Sequence, residues 1–153
     1  MGRGTRHEFF MSIARTIGER STCDRAHVGC VLVRDNFMIS SGYNGSLSGD
    51  SHCDDVGHHM VDGHCVKTMH AEANAISYAA RVGVSTKGSV LYTTHYPCWN
   101  CFKLLASAGV VAIWFENAYR VDKLVESTSF FLGIEVIKIE MGRCGANKYY
   151  ARP

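Results

Sequence analysis

Proline is scarce, with two residues in a chain of 153, and no stretch of 18 apolar residues occurs anywhere in it. The missing apolar run excludes a membrane-spanning helix. With no long run of like charge and no low-complexity tract, the chain also falls outside the disordered classes. Neither sign of charge dominates: 16 Lys and Arg against 14 Asp and Glu leave a formal net charge of +2. That is well short of the basic footprint of a dedicated nucleic-acid binder, so no stable nucleic-acid complex is expected. An apolar leader is missing from residues 1–21, and the cysteines number seven, an odd count. Both features argue against a secreted disulfide framework and for a reducing, cytoplasmic compartment. What is present is 46% apolar, 20% charged and 10% aromatic residues. That suits one globular domain, residues 1–153, burying about 68–70% of its unfolded surface.

Over residues 5–20, Phe9, Phe10, Ile13, Ala14 and Ile17 fall on one helical face and charged residues on the other. Two β-branched runs, 28–33 and 37–41, flank the turn-like Arg34-Asp35-Asn36 and predict an antiparallel hairpin. From 42 to 66 the pattern stops. This stretch is rich in Gly, Asp, His and Cys, and a loop of that length needs function or a metal to order it. Helices over 69–82, 98–108 and 120–132 then alternate with strands over 90–94, 110–115 and 134–139. Gly83, Gly109 and Gly133 follow the three helices and supply the usual left-handed stop. The alternation predicts an α/β fold with a mixed, mostly parallel five-stranded sheet and the hairpin as its antiparallel edge. The tail, 141–153, has no clear period.

Chemistry concentrates at two predicted helix starts, His70-Ala71-Glu72 and Pro97-Cys98-Trp99-Asn100-Cys101. In parallel βα units, helix N-termini lie beside the carboxyl ends of strands, where sites in open α/β sheets form. Cysteines at i and i+3 share a helical face, and the positive end of the helix dipole favours their thiolates. Cys98, Cys101 and a neutral His70 imidazole make a three-ligand zinc set whose fourth position stays open to water. Zinc lowers the pKa of such a water toward about 7, but a carboxylate must still carry protons, and Glu72 is placed to do so. Positions 70 and 72 lie roughly 200° apart on a regular helix, so both reach one site only if His70 stands at the very start. Either fragment alone has an ordinary reading, the CxxC as a structural zinc knuckle or redox pair and the His as a core residue. Together, HxE followed by PCxxC is the established signature of zinc nucleobase deaminases.

Four segments extend the match: Ser21-Thr22-Cys23-Asp24-Arg25-Ala26-His27-Val28-Gly29, Gly42-Tyr43-Asn44-Gly45-Ser46, His70-Ala71-Glu72-Ala73-Asn74-Ala75 and Thr94-His95-Tyr96-Pro97-Cys98-Trp99-Asn100-Cys101. On these the chain resembles the deoxycytidylate (dCMP) deaminases of the bacterial and bacteriophage type, from about residue 22 to 139. The resemblance implies a three-layer αβα cytidine-deaminase-like fold. It also implies hydrolysis of dCMP to dUMP and ammonia, a step in thymidine nucleotide supply, in the cytoplasm, or the host cytoplasm for a phage protein. Glu72 would pass a proton to N3 of the cytosine and another to the departing amine.

The insert at about 43–67 contains Cys53, His58, His59, His64 and Cys65, with Cys23 available from the chain before the first strand. Four soft ligands would close a tetrahedral structural site. Phage and bacterial relatives carry a second zinc here, and the resemblance assigns it to Cys23, Cys53, His58 and Cys65, with His64 as the substitute for either of the last two. His58 stands where related sequences often have Cys. Cys30 and Cys144 read as ordinary thiols. Resemblance places Asn44 on the deoxyribose. Arg25, just ahead of the first strand, is a natural fork for the 5′-phosphate, with His27 and Lys67 as weaker alternatives; Tyr96 is expected against the pyrimidine and Asn74 in support of the site or the nucleotide. The resemblance implies a homohexamer activated by dCTP and inhibited by dTTP, each with Mg2+, acting through Gly42, Tyr43, Asn44, Gly45 and Ser46. Leu47 replaces the proline usual after that loop. Competing readings are a deaminase of another cytosine substrate, nucleoside or single-stranded nucleic acid, and a non-catalytic zinc-stabilised interaction domain. The second leaves Glu72 without a purpose.

Overall fold

The computed structural model describes residues 4–140 and the backbone of 147–148; Cys144 lies outside the described residues. Helix α1 (Arg6–Gly18) starts at a reciprocal cap, in which Thr5 Oγ1 accepts from the Glu8 N–H and the Glu8 carboxylate accepts from the Thr5 N–H. Its buried face is Phe10, Met11, Ala14 and Gly18, with His7 stacked on Trp114 at a ring separation of 3.9 Å. The predicted period holds, but the phase is turned. Phe9, expected inside, is exposed, and Met11 is fully buried.

Strands β1 (Gly29–Arg34) and β2 (Phe37–Tyr43) form the expected hairpin. Its two-residue turn holds Asp35 at φ 51° and Asn36 at φ 65°, the paired left-handed geometry that matches strand twist. The insert is not a bare loop. Short β3 (Gly45–Ser46) pairs with β6 (Thr68–Met69) at its neck; between them lie α2 (Cys53–Val56) and a miniature hairpin of β4 (Met60–Val61) and β5 (His64–Cys65). Asp62 and Gly63 turn that hairpin with φ of 48° and 77°.

The chain then runs α3 (Ala71–Arg81), β7 (Val90–His95), α4 (Trp99–Ser107), β8 (Ala112–Asn117), α5 (Lys123–Leu132), β9 (Glu135–Lys138) and β10 (Asn147–Lys148). The main sheet has the order β10-β9-β8-β7-β1-β2. Strands β7, β8 and β9 are parallel; β1 is antiparallel to both β2 and β7, and β10 is antiparallel to β9. Among the described residues the sheet therefore has six strands where five were expected, the sixth coming from the tail without a pattern. Alternate residues feed opposite faces. Val31, Val33 and Tyr92 pack under α1, while Cys30, Leu32, Leu91 and Ile113 join Ala75, Phe102 and Leu105 of α3 and α4 on the other side. That is the three-layer αβα arrangement. A side chain at Gly42 would collide with the Ala71 carbonyl and the Ala75 nitrogen, so only glycine lets the first turn of α3 settle on the end of β2. No described helix is long and apolar enough to cross a membrane.

Candidate active site

His70 is the N-cap of α3 and Cys98 the N-cap of α4, each with extended backbone and neither capping its own helix with its side chain. The requirement that His70 precede the first turn is met, and Glu72 then projects from that turn into the same space. Cys101, three residues into the second cluster, completes a trio: His70 Nδ1 lies 3.5 Å from Cys98 Sγ and 3.4 Å from Cys101 Sγ. A tetrahedral ion with usual zinc bond lengths places sulfur and nitrogen about 3.6 Å apart. The donor set and its spacing fit zinc.

The electrostatics of the trio agree with that chemistry. The Cys101 thiol, with the His70 imidazole beside it, holds the Cys98 thiol far below its ordinary value, whereas Cys98, burial and Glu72 push Cys101 up. Glu72 is 4% exposed, and burial raises its carboxyl above the usual range, as suits a group that must both hold and release a proton.

A second set joins Cys23, Cys53, His58 and Cys65. Cys53 Sγ and Cys65 Sγ are 3.7 Å apart, and Cys23 Sγ lies 3.7 Å from His58 Nδ1. These are again close to tetrahedral edges, about 3.8 Å for two sulfurs and about 3.6 Å for sulfur and nitrogen. Four soft donors fit a closed site. His64, the substitute ligand, lies outside this set. Its residue lines the cavity instead.

One cavity of about 250 Å³ touches both sets, with Cys23 and Cys65 on its wall together with His70, Glu72 and Cys98. Arg25 lines it while donating to the Gly63 carbonyl at 3.2 Å. Asn44 lines it too, accepting from the Val28 N–H at 2.8 Å and donating to the Ala26 carbonyl at 2.7 Å. One amide hydrogen and one lone pair of that side chain are left over. Tyr96 lines the cavity with its ring edge-on to Phe115. Asn74 does not; it donates to the Tyr43 carbonyl at 2.8 Å and so ties α3 to the end of β2. Lys67 is tied to Asp50 at 2.8 Å, and neither it nor His27 lines the cavity. Of the five residues of the Gly42–Ser46 loop, only Asn44 reaches the lining. Cys30 is an ordinary buried core thiol.

His95, Tyr119 and Arg120 also line the cavity, although the sequence reading gave them no role; of these, Tyr119 and Arg120 lie beyond the matched segments. The last two sit in the connection between β8 and α5, with the Arg120 guanidinium 5.4 Å from the Tyr119 ring centroid. The predicted helix over 120–132 would have taken Arg120 into its first turn. Asp122, whose carboxylate accepts from the Leu124 N–H at 2.8 Å, is the cap that starts the helix later, and it was the available signal. His95 Nδ1 is 2.9 Å from Thr94 Oγ1, and burial lowers its pKa.

Comparison with known proteins gives this geometry relatives. ComE operon protein 2 of Bacillus subtilis (strain 168) is 39% identical over 141 residues, 92% of this chain and 75% of its own length. The deoxycytidylate deaminase of Mycobacterium phage D29 is 35% identical over 129 residues, 76% of this chain and 98% of its own. Among solved structures, the dCMP deaminase of cyanophage S-TIM5 in complex with dCMP and dUMP matches with a TM-score of 0.77 at 32% identity, covering 91% of this chain and 100% of that one. Residues 4–117, which contain both cysteine and histidine sets and the buried glutamate, match the cytidine and deoxycytidylate deaminase zinc-binding region. The chain belongs to that family.

Proposed function

We propose that the protein catalyses hydrolysis of dCMP to dUMP and ammonia. The observation that carries this reading is the burial of Glu72 beside the His70, Cys98 and Cys101 trio on a cavity that Arg25 and Arg120 also line. His70, Cys98 and Cys101 would hold a zinc ion, which would supply the Lewis acidity that activates a water. Glu72 would take one proton from the attacking water and deliver it to ring N3 as oxygen adds at C4, then take the second proton from the new C4 hydroxyl and deliver it to the amine as the C4–N bond breaks. Its raised pKa lets one carboxyl serve as base and then acid. Arg25 and Arg120 bind the 5′-phosphate, for which forked guanidinium donors are suited. The remaining amide hydrogen and lone pair of Asn44 meet the sugar hydroxyl, and Tyr96 packs on the pyrimidine.

Cys23, Cys53, His58 and Cys65 hold a second zinc that orders the insert. Regulation by dCTP and dTTP with Mg2+ through Gly42–Ser46, assembly as a homohexamer, the single-domain reading of 1–153 and a cytoplasmic location complete the proposal. They rest on the resemblance and on composition; for the regulatory segment, Gly42 packs on Ala71 and Ala75 of α3 while Asn44 lines the cavity. Ammonia release from dCMP, CMP, deoxycytidine and a cytosine-containing oligonucleotide tests the substrate. We expect dCMP to have the highest kcat/KM; an oligonucleotide turned over as well as dCMP would overturn the reading.

A further inference from the structure

Cys23, Asp24 and Arg25 are consecutive, and each reaches a different part of the insert. Cys23 belongs to the four-donor set, Arg25 is held on the β4–β5 turn, and Asp24 Oδ1 lies 2.9 Å from His58 Nε2. The other ring nitrogen of His58, Nδ1, faces Cys23 Sγ at 3.7 Å. The imidazole is therefore bracketed, with one nitrogen on the sulfur set and one on a carboxylate. A neutral imidazole offers a single lone pair, and the partner that accepts its N–H decides which nitrogen keeps it. With Asp24 accepting from Nε2–H, the lone pair sits on Nδ1, turned toward the three sulfurs.

We propose that Asp24 is a positioning residue of the second metal set, fixing the tautomer and ring orientation that make His58 its fourth donor. The proposal rests on the reading of Cys23, Cys53, His58 and Cys65 as zinc-holding. Asp24 is 74% exposed and His58 24%, and an exposed ion pair adds little to folding. The consequence of the contact lies in the ring it orients. A cysteine at 58 has no tautomer to select and needs no such partner, so Asp24 and His58 work as a matched pair.

The test is zinc competition on protein loaded with two equivalents of Zn2+ and titrated with a chromophoric chelator. Removing an outer partner of a ligating histidine typically costs 10- to 100-fold in metal affinity, and the exposure of Asp24 puts this case near the lower end. Asp24→Ala should release one of its two ions at roughly tenfold weaker competition, with the other ion unmoved. Asp24→Asn, which keeps an oxygen for Nε2–H, should fall between that variant and the parent. In a His58→Cys background, Asp24→Ala should change nothing. Parent-like retention in Asp24→Ala, or the same loss in the His58→Cys background, would overturn the proposal. Nitrogen-15 NMR of the zinc-loaded parent tests it without the double variant: we expect the Nε2–H tautomer at His58, and the Nδ1–H tautomer would overturn it. A parent that binds one zinc only would overturn the reading of the second set itself, which separates that failure from the failure of Asp24 alone.

Discussion

The two cysteine and histidine sets stand on different kinds of backbone. His70, Cys98 and Cys101 are carried by the first turns of α3 and α4, helices of 11 and 9 residues packed on the main sheet. Cys53, His58 and Cys65 are carried by an insert whose elements are two to four residues long. The trio has three donors and a buried carboxylate beside it; the quartet has four donors, and its carboxylate, Asp24, sits outside at the surface. Where packing already holds the backbone, a metal is free to do chemistry. Where the segment buries almost nothing of its own, a metal would have to close the structure.

That contrast can be broken or sharpened by experiment. Glu72→Gln should keep both zinc ions and lower kcat by at least about 100-fold, because Gln preserves shape and cannot shuttle protons; activity within a few-fold of the parent would sink the mechanism. The two sets should then separate by readout. Metal analysis should find two zinc ions per subunit. Cys53→Ser should remove one of them and lower the unfolding temperature by about 10 °C or more, since binding free energy at a structural site is folding free energy. Cys98→Ser should instead abolish activity with a far smaller thermal shift. Equal thermal shifts would erase the distinction.

Arg25 is held on the insert and lines the cavity shared with the trio, so it sharpens the comparison from the substrate side. Arg25→Ala should weaken kcat/KM for dCMP by roughly 10- to 150-fold, the worth of a charge-assisted contact, and leave deoxycytidine nearly unchanged. Equal losses on both would make Arg25 a support of the insert rather than a phosphate ligand. The loop between the two regions gives a fourth measurement. Initial rates at low dCMP should rise with dCTP and fall with dTTP, by about 5- to 150-fold if the coupling has the usual size; superimposable hyperbolic curves would remove the regulatory proposal alone. The smallest effect lies on the opposite face of the sheet, remote from both sets. Burial lowers the His7 pKa, so the fold prefers its neutral form. The resulting stability is present above the ordinary histidine value of about 6.5 and is lost as pH falls through the lowered folded value. His7→Gln should flatten that acid limb of the melting curve by no more than about 2 °C, with zinc content unaltered.

Much of this architecture was readable in one dimension. Every predicted helix stop at Gly83, Gly109 and Gly133 is a left-handed glycine in the structure, because a stop is a property of one residue's backbone freedom. The miniature hairpin at Asp62-Gly63 was missed although its Asp-Gly turn is a strong local signal; strands of two residues leave no periodicity around it. The face of α1 is turned by about one residue from the predicted one: Phe9 and Met11 are both apolar, and it is Phe10, Met11 and Ala14 that pack on Val31, Val33 and Tyr92 of the sheet.

By itself, the sequence determined the donors and their local geometry: a histidine at a helix cap, a glutamate two residues on, cysteines one helical turn apart, all set by spacings shorter than five residues. Tertiary structure decided what those donors face. It brought Tyr119 and Arg120 to the cavity, placed Asn74 on a backbone carbonyl, and set Asp24 against His58 across 33 intervening positions in the chain. Short spacings are fixed by the pitch of a helix, whereas contacts between distant segments exist only after the sheet has ordered its strands and the helices have settled on its faces.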